Sequence, residues 1–204
     1  MPSAEPPQRI RRASIDDVPE LADALARAFH DDPGFGHLLP DPSDRTDRLR
    51  IFFETELRET GIPLGLTWTT DDLAGGAIWM PPDRWRVPVT TTMRELRPMT
   101  RVFGRRLPLA LRSRLRMEAR HPGKPPHGYL VMMGVAPERQ GRGLGTALLE
   151  PGLGSLDTDR VPAYLEASST RSRELYRRNG FEVTGGLDLP SGGPPLWLMW
   201  REPG

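Results

Sequence analysis

The chain has 204 residues, a formal net charge of +1 and no cysteine. That length suits one domain with a real hydrophobic core, and the missing cysteines exclude disulfides, thiolate metal sites and a catalytic Cys. The balanced charge gives no overall drive towards nucleic acid; no run approaches the roughly 20 apolar residues that cross a bilayer, and the N-terminus lacks an apolar signal region, so a cytoplasmic location is expected.

In chain order, residues 1 to 8 are Pro-rich and are expected to form a disordered tail. Arg9 to Ala13 reads as a short strand, after which Ser14 or an Asp can cap a helix over residues 16 to 29. Val18, Leu21, Leu25, Ala28 and Phe29 recur there at helical spacing, with Pro19 tolerated near the first turn. His30 to His37 is expected to break that helix at Pro33 and to run on irregularly through Pro42. A polar and aromatic loop in this place, with Asp32, Phe35 and His37, is suited to gripping a small-molecule substrate.

Ser43 to Thr60 favours helix, with Leu49, Phe52, Phe53 and Leu57 as its apolar stripe. Leu64 to Thr70 and Leu73 to Met80 form a strand pair across a tight turn, and Trp68 and Trp79 are expected in the core or in a pocket wall, Trp79 on the substrate side. Arg84 to Lys124 carries twelve Arg or Lys against Glu95 and Glu118. Helix is expected there from about Thr90 to Arg120, interrupted near Pro98 and Pro108. With few aromatics interleaved, its arginines read as a solvated face or a rim beside an anionic cofactor rather than a nucleic-acid surface. The histidines at 30, 37, 121 and 127 lack zinc-ligand spacing, so no metal is expected.

Tyr129 to Val135 is a strand, followed by a turn at Ala136-Pro137, a loop with Gly141, Gly143 and Gly145, and a helix that Pro151 should kink or end. Val161 to Ala167 is a further strand. Thr170 to Arg178 forms a short helix closed by Asn179-Gly180, and Phe181 to Thr184 and Leu196 to Trp200 are the last strands. The alternation argues for one α/β domain.

Alternating glycines leave backbone N–H groups unshielded, and the following helix adds the positive end of its dipole, so the loop suits an anion such as a pyrophosphate. A dinucleotide fingerprint G-x-G-x-x-G fails because Thr146 stands at its last position, and a Walker loop fails for want of its Lys. Gln140-Gly-Arg-Gly-Leu-Gly145 fits Q/R-x-x-G-x-G/A instead. That pattern resembles the coenzyme A pyrophosphate motif of the GNAT acetyltransferase superfamily. Leu175-Tyr-Arg-Arg-Asn-Gly-Phe181 resembles the L-Y-x-x-x-G-F signature that follows it in the same enzymes.

The resemblance implies a single GNAT-like α/β domain over 9–204. Its mixed central sheet of about six to seven strands is flanked by helices and splayed at the coenzyme A site, with 9–125 as the substrate half and 126–204 as the cofactor half. It implies acetyl-CoA as cosubstrate and binding through Met133, Gly134, Val135, Gln140, Gly141, Arg142, Gly143, Leu144, Gly145, Thr146, Ser172 and Tyr176. Ser172 replaces the Asn usual in the family. Tyr176 inherits the role of acid for the departing thiolate, and the backbone of Met133 to Val135 supplies the oxyanion donor, with Gly134 expected to ease the distortion of that strand. For the general base Glu166, Asp32 and His37 remain open.

Across nearly the whole chain the order of features resembles the puromycin N-acetyltransferase branch, through Ala13 to Pro19, Gly134 to Gly145, Pro151-Gly152, Val161 to Glu166 and Tyr176 to Val183. The segments His30 to His37 and Arg84 to Lys124 depart from it, so puromycin is not carried over. The expected activity is N-acetylation of a small amine, an antibiotic or an amine metabolite. Acetylation of a peptide amine and a non-catalytic acyl-CoA sensor are the alternatives, and the apolar last strands permit a homodimer.

Overall fold

The computed structural model describes residues 9–86 and 89–204; the expected tail at 1–8 lies outside the described residues. One seven-stranded sheet organises them: β1 (Ile10–Arg12), β2 (Thr67–Thr70), β3 (Gly75–Met80), β4 (Gly128–Val135), β5 (Ala163–Ala167), β6 (Glu182–Asp188) and β7 (Pro195–Arg201), in the order β1-β2-β3-β4-β5-β7-β6. Only β4 and β5 are parallel neighbours; every other pairing is antiparallel. The helices are α1 (Val18–Ala28), α2 (Pro33–Leu38), α3 (Pro42–Glu56), α4 (Val89–Phe103), α5 (Leu107–Glu118), α6 (Leu144–Thr158) and α7 (Thr170–Arg178). This is the open, mixed α/β sheet flanked by helices that the sequence led us to expect.

Side chains alternate across a strand, so successive residues of β3 enter different cores. Ile78 joins Leu21, Leu25, Phe53 and Val102 beneath α1, α3 and α4. Ala77 and Trp79 join Leu148, Leu149, Tyr176 and Phe181 beneath α6 and α7. The helices α1, α3 and α4 and the helices α6 and α7 that carry the two glycine motifs therefore pack largely on opposite faces of one sheet.

Prolines account for three departures from expectation. The first helix ends at Ala28, before Pro33 as expected, but Pro33 starts α2 where an irregular run was expected: it sits in the first turn, where its missing N–H costs nothing, and the Asp32 carboxylate accepts from the Phe35 amide at 3.0 Å as the cap. Pro98 does not interrupt α4, and the expected break near Pro108 falls at Gly104, whose φ of 51° is left-handed, with Pro108 in the first turn of α5. Pro151 lies inside α6, which continues to Thr158. Its lost ladder bond is offset by burial of Leu148, Leu149 and Leu153 on the sheet.

Candidate active site

The parallel pair β4/β5 is registered only at Gly128↔Ala163, Tyr129↔Tyr164 and Leu130↔Leu165, although β4 continues to Val135 and β5 to Ala167. Beyond Leu130 the strands part. The cause is visible on the other edge of β4, where Ile78 faces Met132 but Trp79 faces Leu130, leaving Val131 as an extra residue. Such a bulge bends its strand away from its neighbour. Gly134, expected to ease this distortion, has another role: a Cβ there would lie 2.8 Å from Phe29 Cε2 and 3.0 Å from Ala28 Cβ, so its absence lets α1 close onto β4. The bulge, three residues earlier, does the bending.

The glycine loop and α6 follow β4 on one side of this opening. Gly141 and Gly143 hold φ values of 78° and 82°, and a Cβ on either would meet open space, so their conformation rather than crowding calls for glycine. The first α-helical bond into the loop runs from the Ala147 amide to the Gly143 carbonyl at 3.1 Å. The first-turn amides of Leu144, Gly145 and Thr146 thus precede the helical ladder and are available to an anion. Arg142 is exposed on the same loop.

The two glycine-bearing motifs touch, although thirty residues separate them. A Cβ on Gly145 would come within 2.9 Å of Leu175 Cδ2, Asn179 Nδ2 lies 3.4 Å from Thr146 Oγ1, and Arg171 donates to Gln140 Oε1. Gln140 Nε2 in turn donates to the Val135 carbonyl at 2.8 Å, so its side chain latches the loop to the end of β4. Ser172 is likewise engaged: with Ser169 it forms a reciprocal cap of α7, its hydroxyl donating to the Ser169 carbonyl at 2.9 Å. The Gln140 and Ser172 side chains are therefore braces of the cradle, a role their motif positions alone do not reveal.

At its other end α7 closes in a Schellman motif, with Gly180 N–H on the Arg177 carbonyl and Phe181 N–H on the Tyr176 carbonyl, both at 3.1 Å. This fixes Tyr176, whose ring meets Phe181 edge-on at 5.9 Å. Burial, with a contribution from the Asp32 charge, pushes the Tyr176 hydroxyl above the ordinary tyrosine range, so it stays protonated at neutral pH.

On the opposite face of the sheet lies a cavity of about 300 Å³, walled by apolar and aromatic side chains including Phe35, Phe52, Met99, Phe103 and Met132. Glu166 of β5 enters it with one oxygen held by the Tyr129 hydroxyl at 2.7 Å and the other, Oε1, buried without a hydrogen-bond partner. Burial raises its carboxyl to about 7, against the lowering effect of the Tyr129 and Tyr164 hydroxyls. A carboxyl poised there can take a proton from an amine near neutral pH.

The other base candidates fare differently. Asp32 lines the cavity but already accepts from Phe35 N and from the Ser168 hydroxyl, which makes it a cap and a tether of α2. His37 is turned away, its Nε2 on the Pro190 carbonyl at 2.9 Å, and it does not line the cavity. Trp79, placed on the substrate side by sequence, is 3% exposed and packed on Gly152 of α6 in the second core. It faces away because β3 alternates, and its neighbour Met80 lines the cavity instead.

Sequence reading missed Tyr129, His121, Glu56, Glu95 and Arg114, all of which line the cavity. Two left a signal: Glu56 continues the stripe of Leu49, Phe52, Phe53 and Leu57, and Glu95 that of Met99, Val102 and Phe103, so each puts a carboxylate on an apolar helix face. His121, stacked on Trp85 at 3.9 Å and with Nε2 2.9 Å from Nε2 of His127, is lowered to about 3 by burial, the His127 charge and Arg86, and stays neutral. Among the described residues no cluster of His, Asp or Glu is placed to hold a metal, and no helix is long and apolar enough to cross a membrane.

Comparison with known proteins places this geometry. The pattern of the Acetyltransferase (GNAT) family matches residues 29–181. An uncharacterized N-acetyltransferase of Schizosaccharomyces pombe is 28% identical over 95% of this chain and 83% of its own length. Mycothiol acetyltransferase of Beutenbergia cavernae is 44% identical, but over only 26% of this chain and 19% of its own. A Corynebacterium glutamicum structure, described as histone acetyltransferase HPA2 and related acetyltransferase, superposes with a TM-score of 0.71 at 28% identity over 97% of both chains. An agmatine N-acetyltransferase superposes with a TM-score of 0.63 at 13% identity, which speaks for the fold alone. With the splayed strands, the glycine cradle and the L-Y-x-x-x-G-F helix in one assembly, this chain belongs to the GNAT acetyltransferase family and is an acyltransferase.

Proposed function

We propose that the protein transfers the acetyl group of acetyl-CoA to a primary amine of a small molecule, by direct attack within a ternary complex. The observation that carries this reading is the opening between β4 and β5 with the buried Glu166 beside it, the glycine cradle beyond β4 and a 300 Å³ cavity across the sheet. The residues present fit coenzyme A. Gly141, Gly143 and the first-turn amides of α6 suit the pyrophosphate, and the edge of β4 from Met133 to Val135, free of β5, suits the pantetheine amides. Residues 126–204 would form this half of the site and 9–125 the acceptor half.

When bound, acetyl-CoA supplies the activated acyl group. Glu166 takes the proton that leaves the acceptor ammonium, so that its nitrogen lone pair can form the new C–N bond. A backbone N–H of Met133 to Val135 donates to the carbonyl oxygen as charge develops, Tyr176 gives its proton to the sulfur as the C–S bond breaks, and the second proton lost by the nitrogen as the amide forms restores the Tyr176 hydroxyl. With no cysteine in the chain, an acyl-cysteine relay is excluded.

A cavity at the small end of the ligand-pocket range, with apolar walls, favours a compact amine over a peptide tail. An antibiotic or an amine metabolite fits that description, and the puromycin N-acetyltransferase branch is the resemblance that supports the former. The deciding experiment is a thiol-release screen of acetyl-CoA against aminonucleosides, aminoglycosides, polyamines, arylalkylamines, amino acids and basic peptides. Turnover confined to peptides would replace this reading, and coenzyme A binding with no turnover on any amine would favour an acyl-CoA sensor.

A further inference from the structure

Five carboxyl side chains line the cavity, and Glu166 is the one the transfer reaction uses as base. Glu56, Glu95 and Glu118 come from the helical wall formed by α3, α4 and α5, where the cation is Arg114. That guanidinium is already committed: its Nε donates to Glu118 Oε1 at 2.9 Å, while its nearest approach to Glu95 is 3.7 Å. The Glu95 side chain is 4% exposed, and its Oε1 is buried with no hydrogen-bond partner. Glu56, beside it, keeps a surface that opens onto the cavity rather than the outside.

Two neighbouring carboxyls in an apolar wall, one with an orphaned oxygen, are costly to fold. Burial raises both: Glu95 adds to the rise of Glu56, which reaches about 7, and Arg114 opposes it, while for Glu95 Arg114 opposes the rise and Glu59 adds to it. A cation between Glu56 and Glu95 would satisfy the free oxygen and remove the repulsion. The pair comes from elements other than that of the base: Glu56 stands on α3, Glu95 on α4 and Glu166 on β5.

We propose that Glu56 and Glu95 form a second cation subsite, so that the acceptor is a compact molecule with two cationic nitrogens joined by an apolar segment. One nitrogen is delivered to Glu166 and the second is held on the helical wall. This inference rests on the acetyl-transfer reading, since that reading makes the cavity the acceptor site. The aromatic side chains Phe35, Phe52 and Phe103 line the space between and fit an aliphatic or aromatic spacer. Arg114, hydrogen-bonded to Glu118 and 3.7 Å from Glu95, holds the wall in place and offsets part of its charge, leaving three carboxyls against one guanidinium.

The test compares an α,ω-alkyldiamine with the n-alkylamine of equal chain length, read as calorimetric binding to the cofactor-free protein and as kcat/KM in thiol release. The diamine is expected to bind at least about tenfold more tightly, the scale of one charge-assisted hydrogen bond. In Glu95→Gln and in Glu56→Gln that preference should collapse while monoamine binding stays within about twofold. If one variant fails to fold, the other carries the comparison. Equal binding of both amines to the wild type, or a preference that survives both substitutions, overturns the subsite. Turnover of monoamines without diamine preference would sink the subsite alone. Tight diamine binding that depends on Glu95, without thiol release from any amine, would uphold the subsite and sink acetyl transfer.

Discussion

Substituting Glu166 by Gln keeps the shape of the side chain and its bond from Tyr129 but removes the base. The wild-type carboxyl is raised to about 7 by burial, so the charged, proton-accepting form is lost as pH falls through that value. Below about pH 7, kcat/KM should therefore fall roughly tenfold per unit from this group, on top of the smooth slope due to protonation of the amine itself. A bound ammonium stabilises the carboxylate by about one to three units, so the break in kcat should lie below the break in kcat/KM. Glu166→Gln should lower kcat by about 100-fold and erase the break near 7 while the smooth slope persists. Thiol release read with a disulfide reagent is well suited to this, because a chain without cysteine contributes no background. A variant that keeps both its rate and the break would refute the assignment of Glu166 as base.

Other substitutions test the remaining parts. Tyr176→Phe should lower kcat by well over tenfold with little change in KM for acetyl-CoA, and full retention of kcat would remove Tyr176 as the acid. Gly143→Ala forces a side chain to a φ of 82°, which costs about 1–2 kcal/mol and should raise the KM for acetyl-CoA; chemical denaturation and saturation kinetics measure the two effects. The Glu56 carboxyl rises from 4.5 to about 7 on folding, so the native state binds its proton more tightly than the unfolded chain. Its penalty is absent below about pH 4.5, grows through the window up to 7 and is then complete, on the order of 3 kcal/mol. Glu56→Gln should therefore be the more stable protein by urea unfolding at about pH 8 and equal to wild type at about pH 4, and a pH-independent difference would contradict this.

Local pattern carried far because the C-terminal half is built from motifs whose backbone geometry is local. A strand, a left-handed glycine pair and a helix start are consecutive in sequence, so Val135, Gly141, Gly143 and Leu144 announce an anion site before any fold is known. The closing of α7 at Asn179-Gly180 is equally local, since it depends on one residue taking a positive φ. Prolines were harder to place, because Pro33 starts a helix only when Asp32 is free to cap it, and Pro151 is tolerated only because α6 buries its neighbours.

The cavity was not local in this sense. Whether Trp79 or Met80 faced the cavity depended on which face of β3 received α6, a matter of packing and not of strand propensity. His37 was removed from the site by the carbonyl of Pro190, more than one hundred and fifty positions away in the chain. Glu166, Tyr129, Glu56 and Glu95 lie on four different elements, and only the tertiary structure brings them around one space. Their carboxyls acquire their character from burial, which exists only after folding. The sequence by itself thus determined the family and the glycine-rich loop, through backbone conformations encoded residue by residue; the burial of Glu166, its hydrogen bond from Tyr129 and the charged wall opposite were decided by the fold, because desolvation and convergence are properties of packed elements and not of neighbouring residues.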